Sequence, residues 1–396
     1  MSLPSSTPNA AELLARLVSC PSVNPGRRTP TGPPYGEESL AQLLASILTG
    51  WGAKAEVRHV APGRPNVVAR FDGRDPSRAL MLEVHSDTVG AEDMEVEPFA
   101  AAVKDGRLYG RGACDDKGPM TAMLLAIRRM LDRGEPFPVN LFFVSTCDEE
   151  LGSGGAKALM EEGFRADAAV VGEPTDLRVI HAHKGALRWR ILTKGLAVHS
   201  SVPDRGVNAI YQMRRVVDVI ENGLAPSLHG RRHPLLGEAT VSVGTIRGGT
   251  QPNVVPAECE IEVDRRLLPG EREEDATSEL RRRLDDLARG DPKFHFTIEE
   301  TQHFPPFEQD REAPVARLTA DACRKVLGEA TLEMAPWASN AGTFREAGVP
   351  SVLFGPGSIR QAHTAMEYIE LNELEKAALV YEEIIRQSGN YLEKKR

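Results

Sequence analysis

The sequence predicts an α/β protein of two domains, one inserted within the other. Three observations carry that expectation. Apolar runs of strand length alternate with helical periodicities over most of the chain, and several of those strands end abruptly in histidine or acid. From about Lys184 the pattern changes to strand-helix-strand-strand-helix-strand, a unit complete in itself.

Taken in order, residues up to about Pro8 read as a loose leader. Ala10 to Ser19 is expected to be helical, with Leu13, Leu14, Leu17 and Val18 on one face. Glu37 to Thr49 repeats the pattern with Leu40, Leu43, Leu44, Ile47 and Leu48, and Gly50 closes it. The Pro- and Gly-rich stretch from Pro21 to Tyr35 between them is a loop. Strands follow at Lys54 to Val60, Asn66 to Phe71 and Ala79 to His85. The last of these is apolar except for Glu83, as in a strand buried on both faces, and it ends in His85-Ser86-Asp87. Residues two apart on a strand point the same way, so His85 and Asp87 can address one point. An imidazole that binds a metal through one nitrogen and is oriented by a nearby carboxylate has this composition.

Glycines flank two aspartates in Gly110-Arg111-Gly112-Ala113-Cys114-Asp115-Asp116-Lys117-Gly118, a tight loop before a helix with Met120, Met123, Leu124, Ile127 and Leu131 on its apolar face. Asp116 reads equally well as the cap of that helix. Val139 to Thr146 is another buried strand and runs into Cys147-Asp148-Glu149-Glu150, three successive acids that need a cation or a shared proton. After a helix from Ala156 to Glu162, the strand Ala168 to Gly172 leads into Glu173-Pro174-Thr175. Three strands in a row thus finish in acid or histidine, and the loop between the first two adds Asp115. Oxygen ligands with histidine are the set of a hydrolytic zinc site. A glycine-rich loop, Gly355 to Thr364, carries His363, which suits a second metal.

In the insertion, strands are expected at Ala186 to Thr193, Glu238 to Ile246, Ala257 to Arg266 and Lys293 to Glu299, and helices at Gly206 to Asn222 and Glu271 to Arg289, a ferredoxin-like order. The chain returns to the first domain near Pro305, with a helix from Pro314 to Leu327, a strand from Ser351 to Phe354 and a last helix from Asn372 to about Arg386. The domains expected are residues 1–183 with 301–396, and residues 184–300.

The 396 residues suffice for a substantial core, and 41% hydrophobic with 27% charged residues is ordinary for a soluble enzyme. A net charge of −9 argues against nucleic-acid binding. No apolar run reaches membrane-spanning length and no signal core opens the chain, so a cytoplasmic protein is expected. The cysteines, 5 in number, are scattered without a Cys-x-x-Cys pair, which points away from disulfides and thiolate zinc and leaves His, Asp and Glu to hold a metal.

Together, His85-Ser86-Asp87-Thr88-Val89, Gly110-Arg111-Gly112 with Asp115 to Gly118, Asp148-Glu149-Glu150, Val171-Gly172-Glu173-Pro174-Thr175 and the Gly355 to His363 loop resemble the co-catalytic zinc aminoacylase superfamily. That superfamily contains acetylornithine deacetylase, succinyl-diaminopimelate desuccinylase, aminoacylase and carboxypeptidase G, and the likeness covers nearly the whole chain. It implies a mixed-sheet zinc-peptidase (phosphorylase/hydrolase-like) catalytic domain with an inserted ferredoxin-like lid and dimerisation domain. It implies two Zn2+ ions, for which Co2+ or Mn2+ are possible substitutes. Asp115 would bridge them, with His85 and Glu173 on one and Glu150 and His363 on the other. Glu149 would be the general base and Asp87 the residue that orients His85. His199, in Ala197-Val198-His199-Ser200-Ser201, resembles the histidine that polarises the scissile carbonyl. Asn253 and Arg266 match positions that bind a substrate carboxylate, with Arg265 the alternative to Arg266, and Gly357 and Ser358 are further substrate-binding candidates. A homodimer formed through the insertion is implied, without nucleic-acid or membrane partners.

One departure is visible. Asn340, in Ala338-Ser339-Asn340-Ala341-Gly342, stands where relatives often carry an acid, which bears either on substrate choice or on support of the site. The expected activity is removal of the acyl group from an N-acyl amino acid. A carboxypeptidase or dipeptidase acting on a short peptide would use the same metals, and a non-catalytic relative would be expected to have lost Glu149 or a ligand.

Overall fold

The computed structural model describes residues 9–26, 28–30 and 32–392, so the expected leader lies outside the described residues. The chain forms two compact units. One comprises the described residues up to Ala182 with Glu308–Met334 and the stretch from Ser339 onward; the other is His183–Phe307 with Ala335–Ala338.

In the first unit a mixed sheet runs in the order Lys54–Ala61, Arg64–Phe71, Val139–Thr146, Asp75–His85, Ala168–Val171, Ser351–Leu353, Val179–His183. Its middle is parallel. Asp75–His85 pairs in parallel with both Val139–Thr146 and Ala168–Val171, and Ala168–Val171 with Ser351–Leu353. The hairpin Lys54–Ala61 and Arg64–Phe71 is antiparallel and attaches at one side, and Val179–His183 is antiparallel at the other. Leu80, Leu82 and Val84 enter the main core. There they join Leu13, Leu17, Met123, Ile127, Tyr381 and Ile384 from the helices Ala10–Val18, Lys117–Asp132 and Leu371–Tyr391. The two-residue strand period turns Met81, Glu83 and His85 the other way. Because the parallel strands share a direction, the loops after His85, Thr146, Val171 and Leu353 meet at one edge, and the chemically distinctive residues collect there.

The second unit has β-α-β-β-α-β connectivity. Its antiparallel sheet runs Thr240–Gly248, Glu258–Leu267, Gly185–Lys194, His295–Phe304. Leu187, Trp189 and Ile191 alternate inward with Ile261 and Val263, and pack on Met213 and Val216 of the helix Ala209–Asp218 and on Leu280 and Leu284 of Glu273–Gly290. The intervening residues form a charged ladder in which Arg188 meets Asp264 and Arg190 meets Glu299.

Several elements differ from expectation, each for a local reason. The helix expected from Gly206 begins at Ala209, where the Asn208 side chain accepts from the Ile210 and Tyr211 amides. The final strand of this unit runs on to Phe304 because it stays paired with Gly185–Lys194 as far as Ala186. In the first unit Ala102–Lys104, Arg107–Tyr109 and Tyr368–Glu370 form a small sheet inside stretches that show no periodicity, since strands of three residues are too short to display one.

His183 is buried against the ring of Phe307, with Nδ1 3.0 Å from the Lys184 carbonyl oxygen. Burial pushes its imidazole down to about 4. Above about pH 6.5 the ring is neutral in folded and unfolded chains alike. As pH falls from there towards 4 the unfolded chain takes up a proton that the folded one refuses, so stability declines, by roughly 3 kcal/mol over the whole interval. In urea unfolding at pH 7, 6 and 5, the stability gap between wild type and His183→Gln should therefore narrow with falling pH. A gap that stays constant means that His183 titrates normally in the folded protein.

Candidate dinuclear metal centre

His85 closes the central strand at the edge where the parallel strands end. Its Nδ1 lies 2.9 Å from the Asp87 carbonyl oxygen and its Nε2 lies 2.8 Å from Asp115 Oδ1. A carbonyl only accepts, so Nδ1 carries the proton and the Nε2 lone pair faces a carboxylate oxygen. That arrangement calls for a further proton or a metal ion between the two.

Asp115 Oδ2 is 3.2 Å from His363 Nε2. The two carboxylate oxygens thus address two imidazoles, one ending a strand and one ending the glycine-rich loop. His363 Nε2 is also 3.2 Å from the Glu150 carboxylate. Among the described residues, potential ligand atoms fall into two close sets that share Asp115: His85, Asp115 and Asp116, and Asp115, Glu150 and His363. Glu173 is absent from both close sets, although it is buried and feels the charges of Glu149, Asp115, Asp116 and His85.

The electrostatics of this pocket fit divalent cations. Burial, then the charges of Glu150, Asp87 and Asp115, push the Glu149 carboxyl well above its usual range despite His85. Burial and the neighbouring acids do the same to Glu173 and Asp116. Burial also opposes ionisation of Asp115, but hydrogen bonds with His363 and His85 outweigh it and hold that carboxyl well below. Asp116 occupies the cap position of Lys117–Asp132 yet, among the described residues, makes no capping bond, and both of its buried carboxylate oxygens lack a hydrogen-bond partner there. The capping alternative is therefore not realised. Buried acids this crowded need positive charge among them.

Asp87 meets the Nδ1 side of the His85 ring through its carbonyl oxygen and also reaches the neighbouring loop. Its carboxylate Oδ1 is 3.7 Å from His85 Nδ1, farther than its own carbonyl oxygen. The carboxylate accepts from the backbone amides of Glu149 at 2.9 Å and Glu150 at 3.1 Å. It thereby fixes the acids after the neighbouring strand as well as lying beside the imidazole.

Glu367 plays the same part for the other loop, and no motif marked it in the sequence. It is 1% exposed. Its carboxylate accepts from the amides of Gly112, Cys114 and Asp115 at 2.9–3.0 Å and from Arg111 Nη1 at 2.7 Å. Asn340 is also buried, and its side-chain NH2 donates to Glu83 Oε1 at 2.9 Å and to Thr146 Oγ1 at 3.0 Å. That NH2 group supports the strand ends, while Asn340 Oδ1 is buried without a hydrogen-bond partner among the described residues. Gly357 has φ +85°, and a Cβ there would stand 2.6 Å from Cys114 Sγ. Its amide donates to Glu373, and the Ser358 hydroxyl is 3.1 Å from Asp176 Oδ2. Gly357 is thus tied to the helix Leu371–Tyr391 and Ser358 to the segment after Ala168–Val171.

In the second unit the loop holding His199 pairs with the loop holding Asn253: His199 bridges to Val254 and the Ser200 amide donates to the Asn253 carbonyl. The Ser201 amide donates to His199 Nδ1, so the proton of this exposed ring sits on Nε2. Arg265 is 1% exposed and paired with Glu271, whereas Arg266 lies on the opposite face, partly exposed beside Asp264. Of the two, Arg266 is the one left at the surface of this unit.

Residues 81–387 match the model of peptidase family M20/M25/M40. The chain belongs to this family. Acetylornithine deacetylase of Myxococcus xanthus is 35% identical over 322 residues, 80% of this chain and 82% of that one. Acetylornithine deacetylase of Pectobacterium carotovorum subsp. carotovorum (strain PC1) is 33% identical over 374 residues, 92% and 93% of the two chains. The M20 family metallo-carboxypeptidase of Sulfolobus solfataricus superposes with a TM-score of 0.79 at 20% identity, covering 96% of this chain and 99% of that one. This M20 chain is thus a metal-dependent hydrolase with the family's mixed α/β fold. Among the described residues no helix is long and apolar enough to cross a membrane.

Replacing Glu367 by Gln removes an acceptor from a buried carboxylate that serves Arg111 and three amides. The variant should lose roughly 2–4 kcal/mol of stability in chemical unfolding and bind zinc less tightly in titration, because Asp115 loses its backbone anchor. Wild-type stability together with wild-type zinc affinity would show that this cradle is idle.

Proposed function

We propose that the protein is a dizinc amidohydrolase that removes the acyl group from an N-acyl amino acid. The reading rests above all on Asp115, whose two oxygens are divided between His85 and His363, the arrangement of a bridging carboxylate. His85 and Glu173 would hold one ion, Glu150 and His363 the other, with Asp116 close behind. What bound ions supply there is positive charge that polarises an amide carbonyl and acidifies water.

Glu149 is the general base in this reading. Its main chain is pinned by Asp87 and its carboxylate is nearly buried among the proposed ligands. It takes a proton from water as the water oxygen bonds to the carbonyl carbon. It then returns that proton to nitrogen as the C–N bond breaks, releasing a carboxylic acid and an amine. The exposed Nε2–H of His199 is assigned to the developing oxyanion, with Asn253 on the adjoining loop, and Arg266 to the substrate carboxylate. The insertion is assigned to homodimerisation, supported by the edge strand Thr240–Gly248 and by Ile246 and Tyr211, which are 59% and 69% exposed. A cytoplasmic location agrees with five free cysteines.

The acetylornithine deacetylase relatives favour the deacylase reading over a carboxypeptidase, which the Sulfolobus neighbour keeps as the second one. Amine release from N-acetyl, N-succinyl and N-formyl amino acids and from dipeptides, by zinc- or cobalt-loaded protein, separates them. One acyl class should turn over, and Glu149→Ala should lower kcat by roughly 10³ while still binding two metal ions. Cleavage of dipeptides alone would select the peptidase reading, and no cleavage with two ions bound would end the acyl-amino-acid reading.

A further inference from the structure

Asp148 separates the end of the strand Val139–Thr146 from Glu149 and Glu150, and its backbone is left-handed, with φ +63°. That conformation is uncommon outside glycine, although aspartate tolerates it better than most residues, and here side-chain bonds hold it. Asp148 Oδ1 accepts from Arg64 Nη2 at 2.9 Å and from Asn24 Nδ2 at 3.1 Å. The same Asn24 amide donates to Asp87 Oδ2 at 2.7 Å, tying Asp148 to the carboxylate that holds the Glu149 and Glu150 amides.

Arg64 is itself locked. Its Nε and Nη2 make a fork with the buried Glu37 carboxylate at 2.7–2.9 Å. Two residues along the same strand, Asn66 accepts from the Cys147 amide at 3.0 Å and donates to the Gly155 carbonyl at 2.8 Å. Thus the start of Arg64–Phe71 grips the turn at Cys147, Asp148 and Gly155, and a Cβ at Gly154 would lie 2.5 Å from Asp148 Oδ2.

We propose that Arg64, locked by Glu37, is a positioning residue that holds Asp148 in its left-handed turn and so sets the direction in which Glu149 and Glu150 project. The inference rests on the dinuclear reading above and extends it to residues that touch neither substrate nor metal. Arg64 faces Glu37, Asp148 and Asp87, so its charge also keeps these acids tolerable beside one another.

Two variants test it. Arg64→Lys keeps the charge but lacks the fork that reaches Glu37 and Asp148 together. Arg64→Met combined with Glu37→Gln removes the pair without stranding a charge, and decides the matter if the first variant does not fold. In metal-free full-length protein, the Glu149 and Glu150 amides should exchange with solvent at least about tenfold faster, while those of Val139–Thr146 keep their protection. In cobalt-loaded protein the visible bands should change, the ion held by Glu150 should bind about tenfold more weakly, and kcat should fall with KM little altered. A general loss of stability would instead speed exchange throughout the unit and leave the cobalt spectrum of the folded fraction intact. Folded variants with wild-type exchange at Glu149 and Glu150 and a wild-type cobalt spectrum overturn the proposal. If wild type cleaves nothing on the substrate panel, the hydrolytic reading falls, and the exchange and cobalt measurements still judge this one.

Discussion

The carboxylate of Asp115, flanked by two imidazoles and enclosed by Asp116, Glu149, Glu150 and Glu173, is the feature to which the rest of the first unit answers. Negative charge at that density, out of reach of bulk water, is unfavourable by itself. It persists because each acid is fastened to a rigid element: the end of a parallel strand, or a loop whose amides are individually engaged. The parallel middle of the sheet supplies the common edge, and the helices Ala10–Val18, Lys117–Asp132 and Leu371–Tyr391 supply the apolar mass behind it.

The fastening follows one principle twice. Asp87 accepts the amides of Glu149 and Glu150, and Glu367 accepts those of Cys114 and Asp115. In each case an acid that stands behind the site holds the main chain of the acids that face it. A carboxylate bonded to amides is pinned in place and its partners' side chains remain available for chemistry. Glu83, Thr146 and Asn340 add a side-chain cluster beneath the strand ends, where an amide donor suits a neighbouring carboxylate better than a second acid would.

In the second unit strand alternation performs the corresponding sorting. Arg265 and Arg266 are neighbours in sequence, yet one is sealed against Glu271 and the other emerges beside Asp264, because successive side chains leave opposite faces. The same alternation separates the core of Trp189 and Ile191 from the charged ladder of Arg188 and Arg190.

The sequence by itself determined the fold class, the order of the long elements and the acids and histidines to consider. Apolar periodicity is a property of consecutive residues, and strands that end in His85, Glu149 or Glu173 announce themselves locally. What only the tertiary structure decided was which atom faces which. The division of Asp115 between His85 and His363 joins residues far apart in the chain. Asp87 grips the neighbouring loop with its carboxylate while its carbonyl oxygen meets the imidazole, Asp116 makes no capping bond, and Gly357 and Ser358 bond to Glu373 and Asp176. Glu367, Arg64 and Asn24 carried no signal at all, since a buried acceptor or donor for a backbone amide needs no motif. Its partner is fixed by distance in space, which the order of residues along a chain does not encode.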